Sequence, residues 1–300
     1  MSQPLPTVAI LSPGDMGHAV GRVLREHGLP VITCLQGRSP RTRNLAAQAG
    51  IAPVDSYEEL VQQADLLLSI LVPAQALTAA RQVAEALQRT GADLLYVDCN
   101  AISPETVRRL GQEVEQAGAR FVDASIIGPP PREPGATRFY ASGPHADEFA
   151  VLQNFGLDVR VIGETVGHAS ALKMCYAALT KGLTALSTEL LVAAQALGVW
   201  PALRQEFEAS QPAMLQRMTR SLPGMPAKAY RWVGEMEEIA ATFEQVGLTP
   251  RMLLGAADMY RLVEQTPLAR LTPEDPQPTL EEMLQILSEH LSQVVGSTSG

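Results

Sequence analysis

Cysteine is scarce in this chain and positive charge is in deficit. Cys34, Cys99 and Cys175 are the three thiols of 300 residues. Odd in number and far apart, they build no disulfide framework and match no metal-ligand spacing, so no metal site is expected. They read as buried free thiols of a reducing, cytoplasmic compartment. Acidic residues outnumber basic ones, for a formal net charge of −9, which argues against nucleic acid and against an anionic membrane surface as partners. No apolar run is long and continuous enough to span a bilayer, and no internal repeat is visible. Met1–Pro6 reads as a short polar leader and not as a signal peptide.

Two further absences fall inside a motif. Val8–Leu11 is an apolar run suited to a buried parallel strand, and a tight turn and a helix start follow it. A dinucleotide-binding turn reads G-x-G-x-x-G; here the stretch is Ser12-Pro13-Gly14-Asp15-Met16-Gly17, with serine in place of the first glycine. Gly14 and Gly17 still allow a ligand close to the backbone and a helix close to the strand. The free N–H groups of the helix start suit a pyrophosphate. An ordinary strand-to-helix turn is the alternative. The second absence follows the next strand, Val31–Leu35. An NAD site has an acid there for the ribose 2′-hydroxyl. This chain has none, but carries Arg38, Ser39 and Arg41. Two guanidinium groups and a hydroxyl suit a 2′-phosphate, and so NADP over NAD. A solvated helix start with scattered basic residues is the competing reading.

The chain then alternates. Helix is expected at Thr42–Ala49, Tyr57–Gln63, Ala74–Gln88 and from Ser103 to about Ala117. Strands are expected at Ile51–Val54, Asp65–Val72, Asp93–Asp98, Arg120–Ala124, Arg138–Ser142 and Asp158–Ile162, with a helix at Ala146–Phe155. Leu71, Val72 and Pro73 close one strand and Asn100 follows another, at the carboxyl ends where ligands lie in open α/β sheets. The proline-rich stretch from Ser125 to Gly135, with Ile126, Ile127 and Gly128, reads as a stiff loop: a binding wall or a rigid turn. The alternation predicts a doubly wound, mostly parallel α/β sheet.

Beyond Gly163–Thr165 the character changes to all-helical, giving two domains, 1–164 and 165–300. Helices are expected over Thr165–Gly198, Ala202–Arg220, Ala227–Val246, Pro250–Gln265 and Thr279–Val294. Pro212 is expected to kink or split the second of these, and residues 296–300 to form a disordered tail.

One charge stands in an unusual place. Lys173 is the only formal charge between Glu164 and Lys181, in a small, apolar helical run. A desolvated lysine has a lowered pKa and serves as general acid or base near neutrality. Tyr176 and Thr180, at i+3 and i+7, share its helix face. The bland alternative is a lysine whose stem covers apolar surface while its head reaches water. His168 suits a cap or a packing position.

Together these residues resemble the β-hydroxyacid dehydrogenase family, which includes 6-phosphogluconate dehydrogenase. The resemblance rests on the glycine turn with Met16 before Gly17, Arg38-Ser39 after the second strand and Val72-Pro73. It continues through Asp98-Cys99-Asn100-Ala101-Ile102-Ser103-Pro104, Asp123 with Gly128, and Gly167-x5-Lys173. It covers essentially the whole chain. Leu172-Lys173-Met174 and Thr180-Lys181-Gly182 look most like an uncharacterised branch with a divergent helical domain. The resemblance implies a Rossmann domain, a helical domain for substrate and homodimerisation, and hydride transfer between a nicotinamide and a β-hydroxy acid. In that scheme Lys173 exchanges the alcohol proton, Ser12 to Gly17 hold the pyrophosphate, Leu71 to Pro73 and Asn100 line the nicotinamide side, and Ile126, Ile127, Gly128, Tyr176 and Thr180 face substrate. Two departures stand out: Ala177 replaces the family's asparagine, and Ile127-Gly128-Pro129 replaces its substrate-binding Ser-Gly-Gly. Both favour a less polar substrate, which keeps imine or other carbonyl reduction open, and a non-catalytic nucleotide-binding protein beside it.

Overall fold

A computed structural model describes residues 5–272 and 275–298. Most of the Met1–Pro6 leader lies outside the described residues. The chain divides into two compact units, Met1–Met174 and Cys175–Gly300.

The first unit alternates strand and helix, because apolar runs of four residues alternate with amphipathic segments opened by local caps. Its elements are β1 (Val8–Leu11), α1 (Asp15–Glu26), β2 (Val31–Cys34), α2 (Pro40–Gln48), β3 (Ala52–Val54), α3 (Tyr57–Gln63), β4 (Leu66–Ser69), α4 (Pro73–Thr90), β5 (Leu95–Asp98), α5 (Pro104–Gln116), β6 (Arg120–Ile127), β7 (Arg138–Ser142), α6 (Ala146–Ala150) and β8 (Asp158–Val161). A 3₁₀ turn, Val151–Phe155, completes the segment expected as one helix with α6. Ser39, Ser56 and Ser103 cap α2, α3 and α5 by accepting the N–H three residues on.

The strands form one eight-stranded sheet in the order β3-β2-β1-β4-β5-β6-β7-β8. All pairs are parallel except β6 with β7. Alternate residues face opposite layers: Ile10, Leu68, Val97 and Val122 pack into one core, Ala9, Leu67, Tyr96 and Phe121 into the other. This is the doubly wound Rossmann architecture, with the order reversing between β1 and β4.

The strand expected to run to Val72 and stop at Pro73 ends at Ser69, and Pro73 opens α4. The strand expected to end at Ala124 continues to Ile127, because Ile126 and Ile127 pair antiparallel with Phe139 and Arg138 of β7. Ile126 and Ile127 therefore sit buried in the sheet, and the stiff loop begins only at Gly128. Gly128 has φ +125, and a Cβ there would meet the Ala136 carbonyl oxygen at 2.2 Å, so only glycine closes this hairpin.

The chain then turns helical: α7 (His168–Ala196), α8 (Trp200–Ser210), α9 (Pro212–Ser221), α10 (Ala229–Gln245), α11 (Arg251–Glu264) and α12 (Leu280–Thr298). Pro212 splits α8 from α9, as its missing N–H requires. The division into units falls within α7. Cys34 and Cys99 are buried as expected, but Cys175, on α7, is exposed. In the second unit Trp232 packs edge-on to Tyr260, ring centres 5.3 Å apart, and the Tyr260 hydroxyl donates to the Lys181 carbonyl at 2.6 Å. Helix α12 continues through Thr298 where a disordered tail was expected from 296; residues 299–300 lie outside the described residues. Among the described residues no helix is long and apolar enough to cross a membrane.

Candidate active site

The reversal of strand order opens a crevice at the carboxyl ends of β1 and β4, where open α/β sheets take ligands. Ser12 leaves β1 with φ +62, the one positive φ of a non-glycine residue among those described. The backbone there has the left-handed form that glycine adopts at no cost, which explains what the fingerprint's first glycine would do and what serine endures. The Ser12 carbonyl accepts the Gly14 N–H at 2.7 Å. A Cβ on Gly17 would stand 2.6 Å from that carbonyl oxygen, so α1 packs against the turn only with glycine there. A Cβ on Gly14 would meet nothing within 4 Å, so the turn is open on that side. No side chain caps α1. An open turn backed by an uncapped helix start fits a pyrophosphate.

At the far end of β2 the expected cations part company. Arg38 lines a cleft of about 450 Å³ with Gln36, Gly37, Tyr57, Gln75, Thr78 and Gln82. Its Nε is buried without a hydrogen-bond partner, an unanswered donor that a phosphate oxygen would satisfy. The Tyr57 hydroxyl is held above its ordinary pKa by burial, against the opposing pull of the Arg38 guanidinium. Arg41 instead reaches back to Asp15 in the glycine turn, Nη2 to Oδ1 2.7 Å. Ser39 is engaged as the α2 cap.

A buried polar row crosses the sheet behind the crevice: Ser69 on β4, Asp98 on β5, Asp123 on β6 and Ser142 on β7 are register partners in turn, and all four are fully buried. Asp98 accepts the Asn100 N–H at 3.0 Å and its side-chain amide at 2.7 Å. Asn100 also donates to the Ser69 hydroxyl at 2.9 Å and accepts the Leu71 N–H at 2.5 Å. Both ends of the Asn100 amide thus hold the Leu71–Pro73 turn to β5. Burial pushes the Asp98 carboxyl up to about 7.

Lys173 projects from α7, half-buried, and its Nζ donates to the Ile126 carbonyl oxygen. Ile126 therefore contributes its backbone rather than its side chain. Asp123 accepts hydrogen bonds from Ser142 and from the first turn of α7. Burial raises its pKa while those donors lower it. As a residue of this site it was visible only through the family motif, although an acid inside the apolar run Phe121-Val122-Asp123-Ala124 is itself a signal. Tyr176 and Thr180 follow on α7 in the second unit, Tyr176 exposed, the Thr180 hydroxyl donating to the Tyr176 carbonyl at 3.3 Å. Ala177 is buried. No group of three or more potential metal ligands occurs among the described residues.

Residues 7–162 match the family described as the NAD binding domain of 6-phosphogluconate dehydrogenase. Residues 194–263 match a domain of unknown function, DUF1932. An uncharacterised 28.5 kDa protein from the 7S RNA 5′ region of Methanothermus fervidus is 28% identical over 253 residues, covering 84% of this chain and 96% of that one. Mitochondrial 3-hydroxyisobutyrate dehydrogenase of Homo sapiens is 28% identical over 173 residues, 56% of this chain. This chain spans about half of that enzyme, 51%. Among solved structures, a conserved protein of unknown function, described as structurally similar to 3-hydroxyacid dehydrogenases, is 32% identical with a TM-score of 0.65, covering 86% of this chain and 96% of its own. An imine reductase of Streptomyces aurantiacus shares the fold at 17% identity, with a TM-score of 0.53 and coverage of 85% and 93%.

Proposed function

From a chain that belongs to the family of the 6-phosphogluconate dehydrogenase NAD-binding domain, we propose an NADP-dependent oxidoreductase that interconverts a small β-hydroxy acid, or a related alcohol, and its carbonyl form. The observation that carries the reading is Lys173: a cation in a small, apolar helical run, half-buried and hydrogen-bonded to the Ile126 carbonyl near the carboxyl end of β6. When bound, a nicotinamide dinucleotide supplies or accepts the hydride, which no side chain can do. The open side of Gly14 and the uncapped N–H groups of α1 would hold its pyrophosphate, with Gly17 letting α1 pack against the turn. Lys173 takes the alcohol proton in the oxidative direction and returns it to the carbonyl oxygen in the reductive one. Asn100 holds the Leu71–Pro73 turn in place, and Gly128 starts the wall that follows β6.

The unpartnered Arg38 Nε and the absence of an acid after β2 support NADP over NAD. Arg41 joins Arg38 by leaving Asp15, an exposed ion pair whose loss costs about 1 kcal/mol or less. A homodimer through the helical unit is supported by one face of α7. Tyr176, Leu179, Leu183, Leu186, Leu190 and Ala193 recur there at alternating steps of three and four residues, the spacing of a helix–helix seam. Leu179 is 66% exposed and Leu186 56%. Reduction of an imine or another carbonyl is the second reading, favoured by the buried Ile127 and by Pro129 beside Gly128, where the family carries polar substrate contacts.

NADPH and NADH binding, measured side by side, tests the cofactor. Tighter NADPH is expected, and equal affinities overturn the Arg38 reading. A panel of hydroxy acids, keto acids and cyclic imines tests the reaction. Lys173→Ala is expected to lower turnover about 10²- to 10⁴-fold with NADPH affinity intact. Unchanged turnover removes Lys173 from the mechanism, and binding without turnover on any of the panel favours a non-catalytic nucleotide-binding role.

A further inference from the structure

We propose that Asp123 is the positioning residue for Lys173, acting through the first turn of α7 and not by meeting substrate. The proposal rests on the reading of Lys173 as proton donor and acceptor.

A helix start leaves its first N–H groups without partners, and a serine, threonine or aspartate just before the helix ordinarily accepts one. The residue before α7 is Gly167, which has no side chain to offer. The acceptor comes from another part of the fold. Asp123 Oδ2 accepts the Gly167 N–H at 2.9 Å and the Ser170 N–H at 3.1 Å. Its Oδ1 accepts the Ser170 hydroxyl at 2.7 Å. The Ser142 hydroxyl donates to Oδ2 at 3.0 Å and accepts the Ala169 N–H at 3.0 Å. Asp123, Ser142 and Ser170 are buried, so water does not compete for these bonds. A carboxylate with these four donors is a fixed point of the sheet.

The register turns this cap into a positioning device. Asp123 and Ile126 are three residues apart on β6, and Ser170 and Lys173 are three apart on α7. Asp123 holds Ser170, and the Ile126 carbonyl holds Lys173 Nζ. Two contacts thus lock one helix turn to one strand segment. Sliding or tilting α7 enough to free Ser170 also draws Nζ away from Ile126. A lysine has a long, flexible stem, and these two contacts help to fix the place of its proton-carrying atom.

The chain has three lysines, Lys173, Lys181 and Lys228, so the lysine itself can be watched. Reductive methylation with ¹³C-formaldehyde gives three dimethyl-lysine signals, assigned by Lys→Arg variants and followed by NMR. In Asp123→Asn the Lys173 signal is expected to move toward that of an exposed lysine, while Lys181 and Lys228 stay in place. NADPH affinity should stay within about threefold and kcat fall about 10²-fold, the cost of a misplacement near 1 Å. If the Asn variant does not fold, Ser170→Ala, which removes only the Oδ1 donor, should shift the same signal in the same direction by less. A Lys173 signal that stays put in a folded variant overturns the proposal. The spectrum decides this without reference to turnover. Loss of the proton-transfer reading is a separate result, seen as unchanged turnover in Lys173→Ala.

Discussion

The two units treat their apolar surface differently. Among the described residues the sheet unit exposes four large hydrophobic side chains: Leu5, Val151, Val161 and Ile162. The smaller helical unit exposes ten, from Tyr176 and Leu179 to Met252 and Leu254. The sheet unit uses its interior for polar work instead, with two carboxyl groups and two serines in one buried row. Its vulnerability is a charge it must desolvate; that of the helical unit, in the proposed dimer, is a surface it must cover. One depends on pH and the other on protein concentration, and that difference can be broken from either side.

The largest effect is expected from the helical side. Fully burying a leucine contributes about 2 kcal/mol, and a two-fold interface counts each residue twice. Leu179 is 66% exposed and Leu186 56%, so Leu179→Glu with Leu186→Glu removes about 5 kcal/mol from a dimer that buries both, enough to take a nanomolar dimer to micromolar. Analytical ultracentrifugation should show a dimer in the parent and a monomer in the double variant, with NADPH binding by the sheet unit retained. A parent that stays monomeric at high micromolar concentration breaks the comparison, because the exposed α7 face then needs no partner.

What could be read from the sequence follows the same division between local and distant causes. The element order of the sheet, the glycine turn and the split at Pro212 depend on neighbours a few residues away. Ser103 announced α5, whereas β4 ends at Ser69, short of the stop read at Pro73, which opens α4. What the sequence concealed depends on residues far apart in the chain. Ile126 and Ile127 are strand only because β7 returns to pair with them. Arg41 turns to Asp15, 26 residues back. The α7 cap comes from a carboxylate 44 residues before Gly167. Lys173 was conspicuous as a charge among small residues, but what holds it was not.

On the sheet side the comparison sharpens with pH. Unfolded, the Asp98 carboxyl loses its proton near the ordinary 3.8; folded, burial holds the proton until about 7. Between those values the folded state binds more protons, so stability falls as pH rises through this window and levels off above it. At 1.36 kcal/mol per pH unit the full loss is about 4 kcal/mol. Asp98→Asn has no proton to lose. Its denaturation midpoint should decline less than the parent's between pH 4 and pH 7, whatever its absolute stability. Parallel slopes would mean that Asp98 ionises in the folded state as freely as in the unfolded one.

The smallest effect lies at the glycine turn, where the sheet unit gives up stability of its own. Ser12 holds φ +62, a conformation that costs a side-chain-bearing residue about 1–2 kcal/mol. Ser12→Gly removes that strain but adds unfolded-chain entropy of about 0.5–1 kcal/mol. A net gain below about 1 kcal/mol is expected, seen as a small rise in Tm with NADPH affinity little changed. Gly17→Ala acts on the same turn with the opposite sign, because its Cβ would stand 2.6 Å from the Ser12 carbonyl oxygen. That variant should lose both stability and NADPH binding, since α1 must retreat from the turn its N–H groups serve. If Ser12→Gly instead weakens NADPH binding tenfold or more, the serine hydroxyl belongs to the binding site, and the strain at this position accompanies a contact that glycine cannot make.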